Sequence, residues 1–538
     1  MSTVGARERA QRAARERLVA SLLRELDPPA VRHGDTLSVP LPAGTLGVGL
    51  RCWSPTGHHR LTGDVTLDEG AGPRPAAHDE VVRCVLETVG GGDPVDELAA
   101  LVAASVERTA RYLAHADEAP AREDGDRTRE AEQSLRFGHP FHPTPKSAEG
   151  LGDEDLATWA PELGASFVLH HLAVRPDVAL AGGAPMTPPP AVAEGLPPGW
   201  TALPVHPYQA RLLARDPTLA LLEAEGGVRW LGPLGDPVWA TSSVRTVVDT
   251  VTGASWKLPL RARLTHFVRT TPPEQARRAV DAAAVVAHLG PLPEGFGVLA
   301  DRGFATLDPA VGGERLAADL TVISRDPFPA GGPRVLAALL EDGPAGEEPP
   351  LVAEVRAGGD AHAWLRRWVG LSLVPLLTVY GSTGLGFEAH PQNVLVVTDA
   401  AGWPTACWVR DLEGAHVRGD RIPVGLPSES PLVYGPVEAW RRLRYHGVVN
   451  HLALLVAVLG RHTVGEEALW ETVAAVLTEV VDDGDPETAP WAADLLTGPT
   501  LPAKAHLRSW AAGRGEDPVY VDVPNPIAAA ARRSGTAG

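Results

Sequence analysis

The sequence predicts an α+β fold, in which helices are combined with a largely antiparallel sheet. Apolar residues recur at helical spacing over 97–114, over 274–289 and through most of the last third of the chain. Short alternating or β-branched runs occupy 228–231, 243–252 and 263–270, which is typical of antiparallel strands. Two more strands, 394–397 and 406–409, flank a turn-forming segment and indicate a hairpin.

The N-terminal region, up to about residue 120, is predicted to be mostly helical with some strand-like alternation. Its first segment should form an amphipathic helix, because apolar positions at helical spacing alternate with Arg7, Arg9, Arg12, Arg15 and Arg17. A basic helix lying on a membrane surface is the alternative interpretation. The charged segment 121–130 follows as a candidate linker.

Local signals mark the ends of several later elements. Pro272 and Pro273 precede the predicted helix 274–289 and Gly290 follows it, which are favourable start and stop signals. Loops rich in proline, glycine or charge are expected at 182–200 and 341–350. The last third should be mainly helical over 361–379, 437–459 and 466–481.

Composition excludes several classes of protein. The net charge of −19 over 538 residues argues against a nucleic-acid partner. The three cysteines form no CxxC pair, so neither a disulfide framework nor a cysteine-rich zinc site is expected. No apolar run reaches the ~18 residues of a membrane span, and we expect a cytoplasmic protein without a membrane partner. P-loop, dinucleotide-binding, zincin and α/β-hydrolase motifs are absent, so a nucleotide would need another arrangement.

Two motifs are built around His-Pro steps, and a further step, His390-Pro391, belongs to the fourth group below. The segment 138–146, GHPFHPTPK, places His139, His142 and Lys146 on a backbone stiffened by proline. Such rigidity suits anion binding or acid–base chemistry, and a proline-rich surface loop is the alternative. The segment 203–209, LPVHPYQ, repeats the pattern, and there a structural turn is at least as good an interpretation.

A third group combines cations with hydroxyl groups. It comprises TSSVRT at 241–246, then Lys257, then LTHFVR at 264–269. On regular strands Ser243 and Arg245 would share one face, as would Thr265 and Arg269. Three cations on one short antiparallel sheet would suit a triphosphate in the absence of a P-loop. The alternative is an exposed strand with solvated charges.

The fourth group surrounds the predicted hairpin. GLGFEAHPQN at 384–393 precedes it and RDLEG at 410–414 follows, so the hairpin should bring both ends together. The residues expected to meet there are Glu388, His390, Gln392, Asn393, Asp411 and Glu413. Carboxylates with an asparagine make a hard-oxygen site suited to Mg²⁺, as in protein kinases. A salt-bridged turn is the alternative.

Taken in order, these motifs resemble the IucA/IucC family of siderophore synthetases, and Lys504, Asn525 and Pro526 add to the resemblance. The resemblance covers about 138–526. It implies a cupped-hand arrangement: a helical thumb (1–130), antiparallel-sheet fingers (131–360) and a mixed, mainly helical palm (361–538). It also implies a ligase that uses ATP and Mg²⁺ to adenylate a carboxylate, such as citrate or a citrate or succinyl derivative, before an amine or alcohol displaces AMP. A homodimer is expected.

The resemblance further implies roles for individual residues. ATP would be bound by Ser242, Ser243, Arg245, Lys257, Gln392 and Asn393. The catalytic residues would be Lys257, Thr265, Arg269 and His390. The carboxylate and amine substrates would be bound by His139, His142, Lys146, Arg269 and His390. The metal would be held by Glu388, Asn393 and Asp411.

Two other functions remain open from the sequence. A small-molecule kinase could use the same hairpin for γ-phosphoryl transfer, although no glycine-rich turn precedes Lys257. A carboxylate-binding protein without turnover is a possibility of another class. The reaction products distinguish them, because the ligase releases AMP and pyrophosphate whereas the kinase releases ADP.

Overall fold

The computed structural model describes residues 3–90, 95–119, 125–265, 267–344, 346–513 and 518–535. Helices and strands alternate along this part of the chain, which confirms the predicted combination of helix and sheet. Within the described residues the strands pair antiparallel, apart from two short parallel pairings. These join Phe296–Val298 to Pro404–Val409, and His416–Arg418 to Val433–Tyr434.

The N-terminal region contains more sheet than predicted. Its helices are Thr3–Leu26, His78–Gly90 and Val95–Glu118; its five-stranded meander is Val31–His33, Thr36–Leu41, Gly44–Cys52, Arg60–Asp68 and Arg74–Pro75. Leu46, Val48 and Leu50 are buried on the central strand. A Cβ atom at the intervening Gly47 would clash with Thr66 Oγ1, so the close strands require glycine there. Glycine is unusual inside strands, so its presence here made these strands harder to recognise from the sequence.

The candidate linker 121–130 lies partly outside the described residues. Its described end contributes to the helix Arg127–Gln133, where the Asp126 side chain accepts a hydrogen bond from Arg129 N. This segment is therefore an N-capped helix start rather than a loop throughout.

The central region contains a seven-stranded antiparallel sheet and two three-stranded sheets. The seven-stranded sheet consists, in spatial order, of Ser166–Phe167, Val238–Ala240, Thr246–Asp249, Ser255–Lys257, Val322–Arg325, Asp301–Leu307 and Ala179–Gly183. The others are Thr201–Val205, His170–Val174 and Val228–Pro233, and Phe267–Arg269, Leu260–Leu264 and Ala148–Glu149. The helices are Asp153–Trp159, Pro190–Gly195, Pro207–Leu213, Pro217–Ala224, Pro273–His288, Pro309–Leu320, Leu336–Leu340 and Pro350–Gly358, with 3₁₀ turns at Pro161–Leu163 and Pro176–Val178.

The C-terminal region is mainly helical, as predicted. Its helices are Ala361–Leu371, Leu373–Thr383, Pro436–Leu443, Ala453–His462, Glu466–Asp482, Ala489–Thr497, His506–Ala511 and Pro526–Arg533, with a π-helix at Arg444–Leu452 and a 3₁₀ turn at Leu412–Gly414. The strands not yet given are Arg334–Val335, Leu385–Gly386, Val394–Thr398, Thr500–Lys504 and Tyr520–Pro524. The predicted hairpin is confirmed, because Val394–Thr398 pairs antiparallel with Pro404–Val409.

Two predicted helices differ in detail. The single helix expected over 361–379 breaks at Ser372, because Pro375 cannot donate to the Leu371 carbonyl and its ring crowds that group. The helical stretch Pro436–His462 is continuous through its π segment. It is long and apolar enough to cross a membrane, yet 89% of its most apolar window is buried inside the fold, as in a core helix.

The end of the described chain packs against its beginning. Glu25, on the first helix, accepts hydrogen bonds from Leu507 N at 3.2 Å and Arg508 N at 3.0 Å. Leu507 is fully buried and belongs to the same apolar core as Leu18 and Leu46. Arg24 Nη2 donates to the Lys504 carbonyl at 3.0 Å. The N-terminal core is therefore completed by a segment almost 500 residues away.

Candidate active site

One large cavity brings the candidate residues together. Its volume is about 710 Å³, within the range of about 300–1,000 Å³ that is usual for small-molecule sites. Its lining includes every candidate site residue taken from the sequence: His139, His142, Lys146, Ser242, Ser243, Arg245, Lys257, Thr265, Arg269, Glu388, His390, Gln392, Asn393 and Asp411. Segments far apart in sequence thus form a single site.

The segment around Ser243 is a turn, so the prediction that Ser243 and Arg245 share a strand face is wrong. Val244 has φ = 67°, which a β-branched residue rarely adopts. Ser243 Oγ accepts a hydrogen bond from Thr246 N at 3.1 Å and closes the turn. The buried Arg245 donates from Nη1 to Thr271 Oγ1 at 2.8 Å. The turn, not a strand, therefore directs Arg245 into the site.

Thr265 also lies in a turn rather than on a strand. Its φ is 61°, and the residues on either side of this turn, Leu264 and Phe267, are paired in a hairpin. Arg269 Nη2 nevertheless donates to Thr265 Oγ1 at 3.1 Å across the hairpin. Burial, together with repulsion from Arg245, lowers the pKa of Arg269 to about 10. The Thr265 hydroxyl and the Arg269 guanidinium are therefore in contact, as predicted, but across a hairpin turn rather than along one strand.

The three cations do not lie on one sheet. Lys257 belongs to the seven-stranded sheet, with Arg245 immediately before its neighbouring strand, whereas Arg269 lies on a three-stranded sheet. The prediction of a single sheet is therefore wrong. The two sheets face the same cavity and still bring the three cations to it.

Lys257 is the centre of a buried charge network. Its ammonium contacts Asp411 Oδ1 and lies 2.9 Å from Glu413 Oε1. Arg325 Nη2 donates to Asp411 Oδ1 at 3.1 Å, and Arg325 Nε donates to Asp301 at 2.7 Å. Burial alone would raise the pKa of Asp411, but Lys257 and Arg325 hold it below its usual range. Two cations, Lys257 and Arg325, and two carboxylates, Asp411 and Glu413, therefore lie together at one wall of the cavity.

Glu132 fixes the Ser242 turn to the hairpin. Its buried carboxylate accepts from Ser242 N at 3.0 Å and from Ser242 Oγ at 2.8 Å. Arg410 Nη1 forms an ion pair with Glu132 Oε1 at 2.6 Å, and Arg410 Nη2 donates to the Gln392 carbonyl at 2.8 Å. Gln392 Nε2 donates to Ser242 Oγ at 3.4 Å. This network joins three of the predicted motifs.

The residues predicted to hold a metal fall into two groups. Asp411 lies beside Glu413, whose Oε2 is buried without a hydrogen-bond partner among the described residues. Glu388 instead pairs with Arg442 at 2.9 Å and His446 at 3.2 Å. Within the described ranges no three His, Cys, Asp or Glu side chains form a compact metal cluster. The available donors are the carboxylates of Asp411 and Glu413 and the nearby Asn393, which are oxygen ligands of the kind Mg²⁺ prefers.

Three of the four His-Pro steps share one local geometry. The Nδ1 atoms of His139, His142 and His206 accept hydrogen bonds from the backbone N–H two residues later, each at 3.1 Å. A neutral ring in this arrangement carries its proton on Nε2. His139 Nε2 is buried without a partner and therefore offers a donor at the cavity. His206 caps the helix Pro207–Leu213, which favours the structural interpretation of the second His-Pro motif.

Other candidates are held by specific partners. Lys146 Nζ donates to Glu162 Oε1 at 2.5 Å and to the Leu135 carbonyl at 2.6 Å. Burial lowers the pKa of His390 despite the nearby Glu388. Burial also lowers the pKa of Lys504, which lies over the Tyr445 ring. Asn525 caps the helix Pro526–Arg533 and is structural.

Buried histidines make stability dependent on pH. Burial lowers the pKa values of His206, His416, His446 and His451 to about 3. These rings are neutral in the fold but take up protons when unfolded below about pH 6.5, so stability is present above that pH and lost as pH falls. We expect a marked fall in the melting temperature between about pH 7.5 and about pH 5.5.

The control for this expectation is His206→Asn, which keeps a good helix cap and removes one titrating ring. Its melting temperature should depend less steeply on pH than that of the unmodified protein. Equal steepness would show that His206 is not protonated on unfolding in this range.

Sequence reasoning missed several residues of the site. Arg325 has no motif around it and reaches the site because its strand pairs with that of Lys257. Glu132 and Arg17 likewise lie on helices, and no local signal marks either residue as part of a site. Arg410 lies within the RDLEG motif, and its position before Asp411 could have drawn attention to it. Such residues become visible only through strand register and packing.

Comparisons with known proteins identify relatives over most of this chain. Residues 127–341 match the model of the IucA / IucC family. The L-2,3-diaminopropanoate–citrate ligase of Staphylococcus aureus is 33% identical over 90% of this chain and 90% of its own length. The rhizobactin siderophore biosynthesis protein RhbC of Rhizobium meliloti is 29% identical over 91% of this chain and 92% of its own. The chain therefore belongs to the IucA/IucC family of siderophore synthetases.

The fold is shared with solved structures of such enzymes. ATP-bound aerobactin synthetase IucA of Klebsiella pneumoniae superposes with a TM-score of 0.84 at 24% identity, covering 96% of this chain and 99% of the other. The named relatives, rather than this likeness of fold, show that the protein is a ligase that condenses carboxylates in siderophore biosynthesis.

A second model, described as ferric iron reductase FhuF-like transporter, matches residues 362–516. That segment contains one cysteine, Cys407, which is buried.

Proposed function

We propose that this enzyme adenylates a citrate-type carboxylate with ATP and transfers the acyl group to an amine. The observation that carries the proposal is the convergence of Arg245, Lys257 and Arg269 on one cavity, beside the Asp411–Glu413 carboxylate pair. Cations suit the triphosphate and the carboxylate, while the acids suit a metal. The ligase activity of relatives that act on citrate supports the choice of substrate.

The geometry suggests how the reaction proceeds. A carboxylate oxygen attacks the α-phosphorus of ATP, and the bond to pyrophosphate breaks. Arg269, with Thr265 beside it, would hold the attacking carboxylate, and Arg245 and Lys257 would stabilise charge on the phosphoryl oxygens. His390 and the Nε2–H of His139 would donate to the acyl group. The amine then attacks the acyl carbon, loses a proton and displaces AMP.

Mg²⁺ would neutralise part of the triphosphate charge when bound. Asp411, Glu413 and Asn393 would hold it, with Glu388 as a further candidate. Lys257 would move from these carboxylates to the phosphates as nucleotide and metal enter. Ser242, Ser243 and Gln392 would contact the nucleotide, and His142 and Lys146 the substrates.

The decisive experiment measures the products. Pyrophosphate and AMP should appear only when ATP, Mg²⁺ and a suitable carboxylate are all present, and a hydroxamate should form when hydroxylamine traps the adenylate. A panel that starts with citrate and succinate identifies the acyl group. Stoichiometric ADP without AMP would overturn the ligase mechanism in favour of a kinase.

We expect the metal requirement to depend on Glu413. Glu413→Gln should raise the Mg²⁺ concentration for half-maximal pyrophosphate release by about tenfold, because it removes one charged oxygen ligand. Glu388→Gln is the matched comparison. A larger shift in that variant would assign the metal to Glu388, and unchanged Mg²⁺ titrations in both would remove the metal from this wall of the cavity.

The proposal also covers the domain arrangement, the compartment and the oligomeric state of the protein. We propose the cupped hand with a thumb at 1–130, fingers at 131–360 and a palm at 361–538, acting as a cytoplasmic homodimer. The mixed helix and sheet content supports the proposed three-part arrangement. Sedimentation of the purified protein tests the dimer.

A further inference from the structure

The cavity extends well beyond the residues assigned to ATP and the acyl group. Its far end is lined by the first helix, by the strand connection around His58 and His59, and by the helix Ala453–His462. The segment of His139 lies against the first helix, because the Phe137 carbonyl accepts from Arg17 Nη2 at 2.9 Å, and His139 lines the same cavity as His390. The far end therefore adjoins the proposed reaction centre without being part of it.

Among the described residues, two arginines at this end form no direct ion pair, although acidic side chains lie near both. Arg17 donates from Nη2 to the Phe137 carbonyl at 2.9 Å, but its Nε is buried without a partner. Arg461 Nε is also buried without a partner. Neither guanidinium forms an ion pair with a carboxylate among the described residues, and burial lowers the pKa of both to about 10. Nearby acids partly offset this effect of burial: Glu341 and Glu16 favour the charged form of Arg17. Asp342 and Glu16 do the same for Arg461.

The neighbouring acids are already occupied. Glu16 accepts from Leu61 N at 2.9 Å and pairs with Arg60 at 2.7 Å. Arg60 also pairs with Asp342 at 2.6 Å. Glu466 accepts from Ser54 Oγ at 3.0 Å, and burial raises its pKa to about 7. Glu341, the acid nearest in effect to Arg17, accepts from Phe137 N at 3.0 Å and from Gly138 N at 3.1 Å. No described carboxylate therefore contacts Arg17 or Arg461 directly, and the Nε–H groups of both remain available to a ligand.

We infer that Arg17 and Arg461 bind a carboxylate carried by the amine substrate, so that the nucleophile is an amino acid rather than a simple polyamine. Leu454 and Val458, which line the same end, would contact the carbon chain between that carboxylate and the reacting amine. The inference rests on the proposed function. It adds that the enzyme selects its amine substrate by a carboxylate that lies away from the amino group forming the amide bond.

The test uses amines that differ only by one carboxylate. The pairs are L-2,3-diaminopropanoate with 1,2-diaminoethane, and L-lysine with 1,5-diaminopentane. Each amine competes with hydroxylamine for the adenylate, so its potency is read as loss of hydroxamate. In at least one pair the amino acid should be more potent by about tenfold or more. Equal potency in every pair, including no inhibition at all, would overturn the inference.

Arg461→Gln should abolish this preference, lowering amino-acid potency about ten- to hundredfold while leaving the diamine unchanged. Arg51→Gln removes an exposed arginine of the same cavity and should keep the preference. If Arg461→Gln raises the KM of the acyl substrate instead, the arginines serve the acyl group and the inference fails. Hydroxamate formation without any amine tests the proposed function separately, because it needs only the adenylate.

Discussion

Arg269→Lys should lower the rate of carboxylate adenylation by about a hundredfold, while the affinity for ATP changes by less than about threefold. The guanidinium can donate to Thr265 Oγ1 and to a substrate oxygen at once, because its donors are fixed in one plane. A lysine ammonium cannot reproduce this fork. Arg245 and Lys257, on the other sheet, remain to bind the nucleotide.

The measurement compares ATP binding by calorimetry with pyrophosphate release at saturating acyl substrate. Arg263→Lys is the matched control, since Arg263 lies on the same hairpin and pairs with Glu149 at 3.1 Å. It should stay within about twofold of the unmodified enzyme, because exposed ion pairs contribute little. Equal losses of ATP binding and rate in Arg269→Lys would assign Arg269 to the nucleotide, and no loss in either would make it a solvated charge.

Glu132→Ala should lower the free energy of unfolding by about 3–5 kcal/mol. The substitution leaves the buried Arg410 guanidinium without its counter-charge and removes the acceptor of Ser242 N and Oγ. The Ser242 turn would then lose its anchor, so ATP affinity should fall as well. Denaturant unfolding and calorimetry measure the two effects.

Glu130→Ala is the control, because Glu130 is exposed on the same short helix. Its unfolding free energy should change by less than about 0.5 kcal/mol. An unfolding midpoint for Glu132→Ala equal to that of the control would contradict a structural role for the buried ion pair.

Most of the site residues and the family could be predicted from the polar motifs. His390, Asn393 and Asp411 reach one cavity because a hairpin joins the ends of its strands, and that geometry follows from the turn signal alone. His139 could be recognised from its His-Pro context. The order of motifs was also sufficient to indicate the family, which the extended identity to known ligases bears out.

The turn conformations at two site segments could not be predicted from the sequence. Val244 and Thr265 are β-branched and would ordinarily favour strands, yet both take left-handed conformations in turns. Side-chain alternation fails at such positions. Arg325, Glu132 and Arg17 depend on contacts between segments remote in sequence, for which no local pattern exists.

The bond between Glu25 and the backbone around Leu507 has a consequence for synthesis of the chain. The ribosome adds about 5–20 residues per second, so tens of seconds separate the emergence of these two partners. During that time the first helix and its sheet lack part of their apolar core. Nascent chains would thus expose an apolar N-terminal surface to chaperones and proteases until the segment around Leu507 has been synthesised.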